Sequence, residues 1–197
     1  APRLHLTDSN PENPAQPPMF CMLLRKRLTG GRLVAIRQEG WERALYLDFD
    51  CINEPGDPVR LTLAVEIMGR HSNIILIGPD GIIIDAIKRV DPAMSSVRPI
   101  LPGLRYEVPP PAEGLDLSVC TPEAGVAAIR GGKDGPLSKA IQHTVTGLSP
   151  LSCREIAYRA TAGEDTPVSA LTEREWEKLT DCLARTRNAV LTGERRV

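Results

Sequence analysis

Apolar residues first recur at helical spacing and then, further along, at every second position. The stripe of Phe20, Leu24 and Leu28 predicts a helix from Met19, which the pair Gly30-Gly31 ends. Alternation over 4–7 and 41–52, and short apolar runs elsewhere, predict strands in the segments 4–7, 33–36, 41–52, 61–65, 74–77 and 82–84. Several short strands in succession favour an α+β fold with an antiparallel sheet or sandwich.

The second part of the chain has the periodicity of helices. It predicts helices from Thr121 onward and over 137–145, 150–160 and 172–191, where Thr172 and Glu175 form a capping box. We therefore predict a β-rich domain over 1–114 and a small all-α domain over 115–197. Residues 146–156 resemble a helix-hairpin-helix, whose turn amides can face a phosphate, although a hairpin used only for packing is the alternative.

A polar break interrupts two apolar runs between Val65 and Ile77. It contains Glu66, then Gly69 to Asn73, which together supply a carboxylate, a guanidinium, an imidazole, a hydroxyl and an amide. Gly69 permits backbone angles that other residues resist. Two interpretations follow: a hydrogen-bonded corner of the sheet, or a place where a polar ligand binds.

The composition is that of an ordinary globular protein, with 42% hydrophobic and 25% charged residues. The 24 basic and 25 acidic residues give a formal charge of -1, so any polyanion site must be a local patch. No apolar run approaches the ~20 residues of a membrane helix, and no secretion signal precedes the first strand. We therefore predict a cytoplasmic protein with no membrane partner, whose five cysteines are reduced thiols.

Catalytic and metal-binding patterns are not found in the sequence. His5, His71 and His143 lie on separate predicted elements without metal-ligand spacing, and no nucleophile elbow or P-loop occurs. We predict that the protein is not an enzyme and has no catalytic residues, no metal and no cofactor.

Four blocks of sequence carry a resemblance to a known family. They are Phe20–Lys26, Leu28–Arg32, Glu66–Leu76, and Arg98–Gly103 followed by Tyr106. In this order they are similar to the N-terminal region of the NFACT family, which includes bacterial RqcH and fibronectin-binding protein A. The resemblance covers about residues 2 to 111. Since family members extend further in both directions, we expect the chain to be a fragment whose first domain is incomplete.

This resemblance implies a role in ribosome-associated quality control. Family members bind large ribosomal subunits that carry peptidyl-tRNA, hold a tRNA, and support alanine tailing of stalled chains. The implied partners are therefore the large subunit with its ribosomal RNA and a tRNA, with alanine tRNA expected. The first domain is similar in fold to that of formamidopyrimidine-type DNA glycosylases.

The resemblance also implies a tRNA site. An Asp-Arg pair of the family falls on Glu42-Arg43, where the acid is one methylene longer. Arg43 offers a planar fork for phosphate or a base edge, and Glu42 or Glu66 can accept from a 2′-hydroxyl. The expected tRNA-binding residues are Glu42, Arg43, Glu66, Ile67, Arg70 and His71. Candidate phosphate contacts are Arg25, Lys26, Arg32, Lys88 and Arg98.

Other functions stay open at this point. One name in the family suggests a surface adhesin that binds fibronectin, and the glycosylase-like fold suggests a nucleic-acid repair enzyme. Unpaired strand edges would also allow the fragment to associate with a second copy. For the helix end at Arg25 and Lys26, a solvated, capped terminus is the alternative to phosphate binding.

Overall fold

The computed structural model describes residues 4–9, 12–93, 98–110, 113–163 and 165–193. Two short 3-10 turns, Gly69–His71 and Val168–Ala170, accompany the regular elements. In chain order these elements are α1 (Met19–Leu28), β1 (Arg32–Gln38), β2 (Ala44–Ile52), β3 (Pro58–Glu66), β4 (Asn73–Ile77), β5 (Ile83–Ala86), α2 (Pro122–Arg130), α3 (Leu137–Thr144), α4 (Pro150–Thr161) and α5 (Glu173–Thr192).

The chain forms two compact units. The sheet unit comprises Ala1–Glu39 and Arg43–Pro110, and the helical unit comprises Gly40–Glu42 and Pro111–Val197. Strands occur in the first unit and most helices in the second, so the predicted α+β class is confirmed. The division into domains 1–114 and 115–197 stays a prediction.

All neighbouring strands of the sheet are antiparallel, in the order β1-β2-β3-β4-β5. Leu47 lies opposite Leu63, which lies opposite Leu76, and this row belongs to one face of the sheet. Because side chains alternate between faces, the adjacent row that contains Tyr46 belongs to the other. The alternation predicted for β2 is therefore correct.

Helix α1 packs on the first face. Its Phe20 is buried with Cys51, Leu61 and Leu76, and further apolar residues of α1 cover this cluster in part. Each such buried side chain contributes roughly 1.5–3 kcal/mol relative to an exposed one.

An irregular segment covers the second face. Ile100 is buried there with Tyr46 and Ala64, and Tyr106 packs against the same cluster. Two backbone hydrogen bonds between Val90 and Ile100, of 2.9 and 2.7 Å, fasten the segment. The described residues of this segment, 87–93 and 98–110, therefore cover the sheet without forming a helix or a strand.

The helical unit has its own core, built from Leu117, Ile129, Ile141, Leu179 and Leu183, none of which is measurably exposed. Helix α5 begins at the predicted capping box, in which the side chain of Thr172 accepts from the Glu175 amide and the Glu175 side chain accepts from the Thr172 amide. The predicted bounds of α3, α4 and α5 are correct to within one or two residues.

One predicted strand is absent from the structure, and another begins later than predicted. Residues 4–7 form no strand, because short alternation does not specify a strand unless a partner pairs with it. Strand β2 begins at Ala44 rather than Trp41, since Gly40–Glu42 belongs to the helical unit. Part of the predicted irregular region, residues 94–97, and Pro111 at the predicted boundary lie outside the described residues.

Candidate functional site

The polar break between Val65 and Ile77 forms a closed corner of the sheet. Glu66 ends β3 and lies opposite Asn73, the first residue of β4. Between them Gly69 has a φ of 58°, the left-handed conformation expected of a glycine here. The Ser72 hydroxyl accepts a 2.9 Å hydrogen bond from the Met68 amide and closes the turn.

Asn73 satisfies this corner from within. Its side-chain oxygen accepts from the amides of Ile74 and Lys88, at 3.0 and 3.1 Å, and its amide group donates to the Lys88 carbonyl at 2.8 Å. Asn73 is also buried. Its role is therefore to tie the start of β4 to the chain that follows β5.

Glu66 lies beneath the corner rather than at its surface. Only 1% of the residue is exposed. One carboxylate oxygen accepts from Arg98 at 2.5 Å, and the other accepts from the Tyr106 hydroxyl at 3.0 Å. Burial, with the hydrogen bond to Tyr46 and the charge of Glu66, raises the pKa of Tyr106 well above its usual range, so its proton is retained. The carboxylate, predicted to contact tRNA, already has partners inside the protein.

Arg98 is the matching cation. Its side chain is only 11% exposed, and it donates a second hydrogen bond of 2.6 Å to the Glu107 carbonyl. Its guanidinium also lies 5.7 Å from the centre of the Tyr106 ring. Burial lowers the pKa of Arg98, but the hydrogen bond and charge of Glu66 outweigh it and raise that pKa overall. As a phosphate contact, Arg98 would have to leave this buried pair.

Four predicted cations or donors are exposed instead: Arg43, Arg70, His71 and Lys88. The Arg70 guanidinium donates to the His71 ring at 2.9 Å, and the Lys88 ammonium lies 3.5 Å from the Arg70 carbonyl. The Arg43 carbonyl accepts a 2.7 Å hydrogen bond from the amide of half-buried Ile67. The corner therefore carries exposed basic groups on a tightly bonded backbone.

Glu42 precedes Arg43 directly in the chain, is half-buried, and belongs to the helical unit. Its neighbour Trp41 packs against the core of that unit. The helical unit therefore holds Gly40–Glu42, which includes Glu42, the predicted acid of the tRNA site.

The other predicted phosphate contacts lie away from the corner. Lys26 pairs with Glu54 at 2.6 Å, and Arg32 lies 3.9 Å from Asp50 at the far end of β2 from Ala44. Asp50 lies six positions along the strand from Ala44, which is roughly 20 Å at about 3.3 Å per residue. Arg25 is exposed at the end of α1. These three cations are therefore not brought together with those of the corner.

A polar network on the second face of the sheet escaped the sequence prediction. The Tyr46 hydroxyl lies 3.3 Å from that of Tyr106, and Arg37 lies 5.3 Å from the centre of the Tyr46 ring. Arg37 also binds Asp48 through two hydrogen bonds of 2.7 and 3.0 Å. The only signal was the placing of Tyr46 and Asp48 on one face of β2, since their distant partners cannot be read from periodicity.

The predicted hairpin at residues 146–156 has its turn filled by a side chain. Gly147 has a φ of 78°, and a Cβ added there would lie 2.6 Å from the Cβ of Trp41. Ser149 caps α4 by accepting from the Ser152 amide at 3.0 Å. The close approach at Gly147 thus serves packing of Trp41, whereas the helix-hairpin-helix assignment stays a prediction.

A cleft lies elsewhere, along α4 and α5 in the helical unit. Its volume is about 1280 Å³, and Leu151, Arg159, Arg185 and Val190 are among its lining residues. Its described lining residues include part of the hairpin at residues 146–156 but none of the predicted tRNA-binding residues or phosphate contacts. Within the described part of the chain, no group of three His, Cys, Asp or Glu side chains could hold a metal ion, and no helix is long and apolar enough to cross a membrane.

Comparison with protein families decides the relationship. The family described as NFACT N-terminal and middle domains matches residues 1–195. The chain belongs to the NFACT family. The resemblance predicted from the sequence blocks is therefore confirmed.

Curated relatives of this chain include a bacterial and an archaeal protein. The protein called Rqc2 homolog RqcH from Bacillus subtilis (strain 168) is 41% identical over 159 residues, which cover 80% of this chain and 28% of the relative. The archaeal Rqc2 homolog aRqcH from Methanocaldococcus jannaschii is 36% identical over 105 residues, covering 53% of this chain and 14% of the relative. This NFACT chain thus spans less than a third of the length of these curated relatives.

Solved NFACT-like structures share the fold. The N-terminal domain of fibronectin-binding protein PavA from Streptococcus pneumoniae aligns with a TM-score of 0.68 and 34% identity, over 81% of this chain and 59% of that one. The fibrinogen binding protein from Staphylococcus aureus aligns with a TM-score of 0.64 and 28% identity, over 88% and 60%.

Proposed function

We propose that this NFACT chain is the tRNA-binding part of a ribosome-associated quality-control factor. The observation that carries the proposal is the corner between β3 and β4, where Arg43, Arg70, His71 and Lys88 are exposed on a backbone fixed by internal hydrogen bonds. Because the chain as a whole has a formal charge of -1, such a local group of cations supports a specific polyanion contact over general attraction.

The chemistry of the corner suits folded RNA. Arg43 and Arg70 can donate to phosphate through planar guanidinium forks, and Lys88 adds a point charge. His71 can donate or accept at a base edge or a 2′-hydroxyl. Glu42 and Ile67 remain proposed contacts, whereas the buried Glu66 supports the backbone of the corner. In this proposal the chain binds rather than catalyses.

The wider role follows from the relatives named Rqc2 homolog RqcH. We propose that the factor binds a large ribosomal subunit carrying peptidyl-tRNA and supports alanine tailing with alanine tRNA. We propose contacts to further RNA, such as ribosomal RNA, at two other places. These are the cations Arg25, Lys26 and Arg32, and the hairpin at residues 146–156. We also propose that the first domain is similar in fold to that of formamidopyrimidine-type DNA glycosylases.

The direct experiment is to purify the protein from cells with stalled ribosomes and to sequence the RNA that it carries. Enrichment of tRNA, with alanine tRNA foremost, is the expected result. RNA that matches the composition of total cellular RNA would contradict the proposal.

A second candidate function is binding of fibronectin at the cell surface. Two relatives of solved structure, one named for fibronectin binding and one for fibrinogen binding, favour it. Labelling of surface proteins on intact cells, compared with co-sedimentation with ribosomes, separates the two functions. The quality-control proposal expects the protein in the ribosome fractions and unlabelled.

A further inference from the structure

A triad of side chains, the buried Glu66 with the half-buried Arg98 and Tyr106, lies at the end of β3 next to the corner. Glu66 holds Arg98 with one carboxylate oxygen and the Tyr106 hydroxyl with the other, at 2.5 and 3.0 Å. Tyr106 is in turn 3.3 Å from the Tyr46 hydroxyl, with the two rings edge to face and their centres 6.2 Å apart. Because burying an ion pair removes the hydration of both charges, the attraction between Glu66 and Arg98 need not make the protein more stable. A role other than stability is therefore worth testing.

The triad fixes the backbone that presents the cations. Glu66 lies opposite Ala44 in β2 and opposite Asn73 in β4, so it is the last residue held between strands on both sides. The chain leaves the sheet immediately afterwards, through Ile67 and the turn that carries Arg70 and His71. Restraining the Glu66 side chain therefore restrains the point from which this turn departs.

We propose that Arg98 and Tyr106 are positioning residues of the tRNA surface, which act through Glu66 and make no contact with phosphate themselves. This inference rests on the proposed function. It replaces the expectation that Arg98 is a phosphate contact, because its guanidinium already serves two acceptors, Glu66 and the Glu107 carbonyl, from a side chain that is 11% exposed.

The salt dependence of binding separates positioning from direct contact. Affinity for tRNA falls as salt rises, and the salt slope is the size of the fall in log K per unit of log salt. Each lost phosphate contact reduces this salt slope by about 0.7–0.9, whereas loss of a positioning residue leaves it unchanged. The variants are Tyr106→Phe, which removes one hydroxyl, and Arg98→Gln and Arg98→Lys. Arg98→Lys keeps the charge that a phosphate contact would contribute to the salt slope. It does not keep the guanidinium fork that the two hydrogen bonds of Arg98, to Glu66 and to the Glu107 carbonyl, need.

The experiment measures the affinity of the purified protein for tRNA at several salt concentrations, well below the unfolding temperature of each variant. We expect Tyr106→Phe, Arg98→Gln and Arg98→Lys each to weaken binding about five- to tenfold with an unchanged slope, and Arg70→Gln to lower the slope. Wild-type slope and affinity for Arg98→Lys, with a lower slope for Arg98→Gln, would overturn the inference. So would unchanged affinity of Tyr106→Phe. If the wild-type protein does not bind tRNA at all, the proposed function itself fails.

Discussion

The Arg98 guanidinium donates a 2.5 Å hydrogen bond to the Glu66 carboxylate, although 32 positions separate the two residues in the chain. Both side chains are removed from solvent, with 11% and 0% of their surfaces exposed. The pair joins the irregular segment on the second face of the sheet to the end of β3. It thereby couples a loop that periodicity cannot place to the corner that carries the proposed RNA contacts.

Loss of the Glu66 carboxylate should destabilise the sheet unit strongly. Glu66→Ala leaves the Arg98 charge buried without a counterion, for which we expect a loss of about 3–5 kcal/mol in the free energy of unfolding. Denaturant unfolding measures this loss. The exposed Glu12 provides the control, since Glu12→Ala should change stability by less than about 0.5 kcal/mol. A loss below about 1 kcal/mol for Glu66→Ala would show that the pair is not held as the structure has it.

The carboxylate of Asp48 predicts a dependence of stability on pH. Its hydrogen bond from Arg37 lowers the pKa of Asp48, with a further hydrogen bond from Thr62, against the opposing effect of burial. Since the folded pKa lies below the unfolded value of about 3.9, the stabilisation is present above that value and is lost as the pH falls through the folded pKa.

The test compares the wild-type protein with Asp48→Asn by thermal unfolding from pH 7 to pH 3. The difference in stability should be constant between pH 7 and pH 5 and should shrink below pH 4. Asp8→Asn, at an exposed position, should show no such difference. A difference that persists unchanged at pH 3 would rule out the ionised Asp48 as its source.

Gly147 should not tolerate a side chain. With a φ of 78°, alanine there is strained, and its Cβ would lie 2.6 Å from the Cβ of Trp41. The matched control is Gly193→Ala in the same unit, where φ is 68° and no atom of the described residues lies within 4 Å of the added Cβ. Because both share the backbone strain, Gly147→Ala should cost about 1–3 kcal/mol more, from overpacking alone. Equal melting temperatures for the two variants would contradict the Trp41 contact.

Arg70 and Lys88 should each contribute to binding through charge. We expect Arg70→Gln or Lys88→Gln to weaken tRNA binding by a few-fold near physiological salt and to lower the salt slope by about 0.7–0.9 each. Filter binding across a salt series measures both quantities. An unchanged slope for both variants would mean that neither residue contacts phosphate.

Much of the fold could be predicted from local pattern. The apolar stripe of α1, the alternation in β2 and the capping box at Thr172 are all properties of neighbouring residues, and the structure confirms each of them. Residues 4–7 fail as a strand because alternation predicts a strand only where another strand pairs with it.

The candidate site could be predicted only in outline. The polar break pointed to the corner, but it offered two interpretations, and Asn73 and Ser72 satisfy the first of them. The partners of Glu66 come from an irregular segment without periodicity, so nothing local indicates that Arg98 and Tyr106 face it. The assignment of Glu42-Arg43 came from family resemblance alone.

Arg43 is the proposed tRNA contact on which the function of this corner depends. The affinity of Arg43→Ala for tRNA tests this role most directly. The matched control is Arg174→Ala, which removes an exposed arginine from α5. We expect Arg43→Ala to weaken tRNA binding by more than tenfold with an unchanged melting temperature, and Arg174→Ala to bind like the wild-type protein. Wild-type affinity for tRNA in folded Arg43→Ala would contradict the proposed role of Arg43.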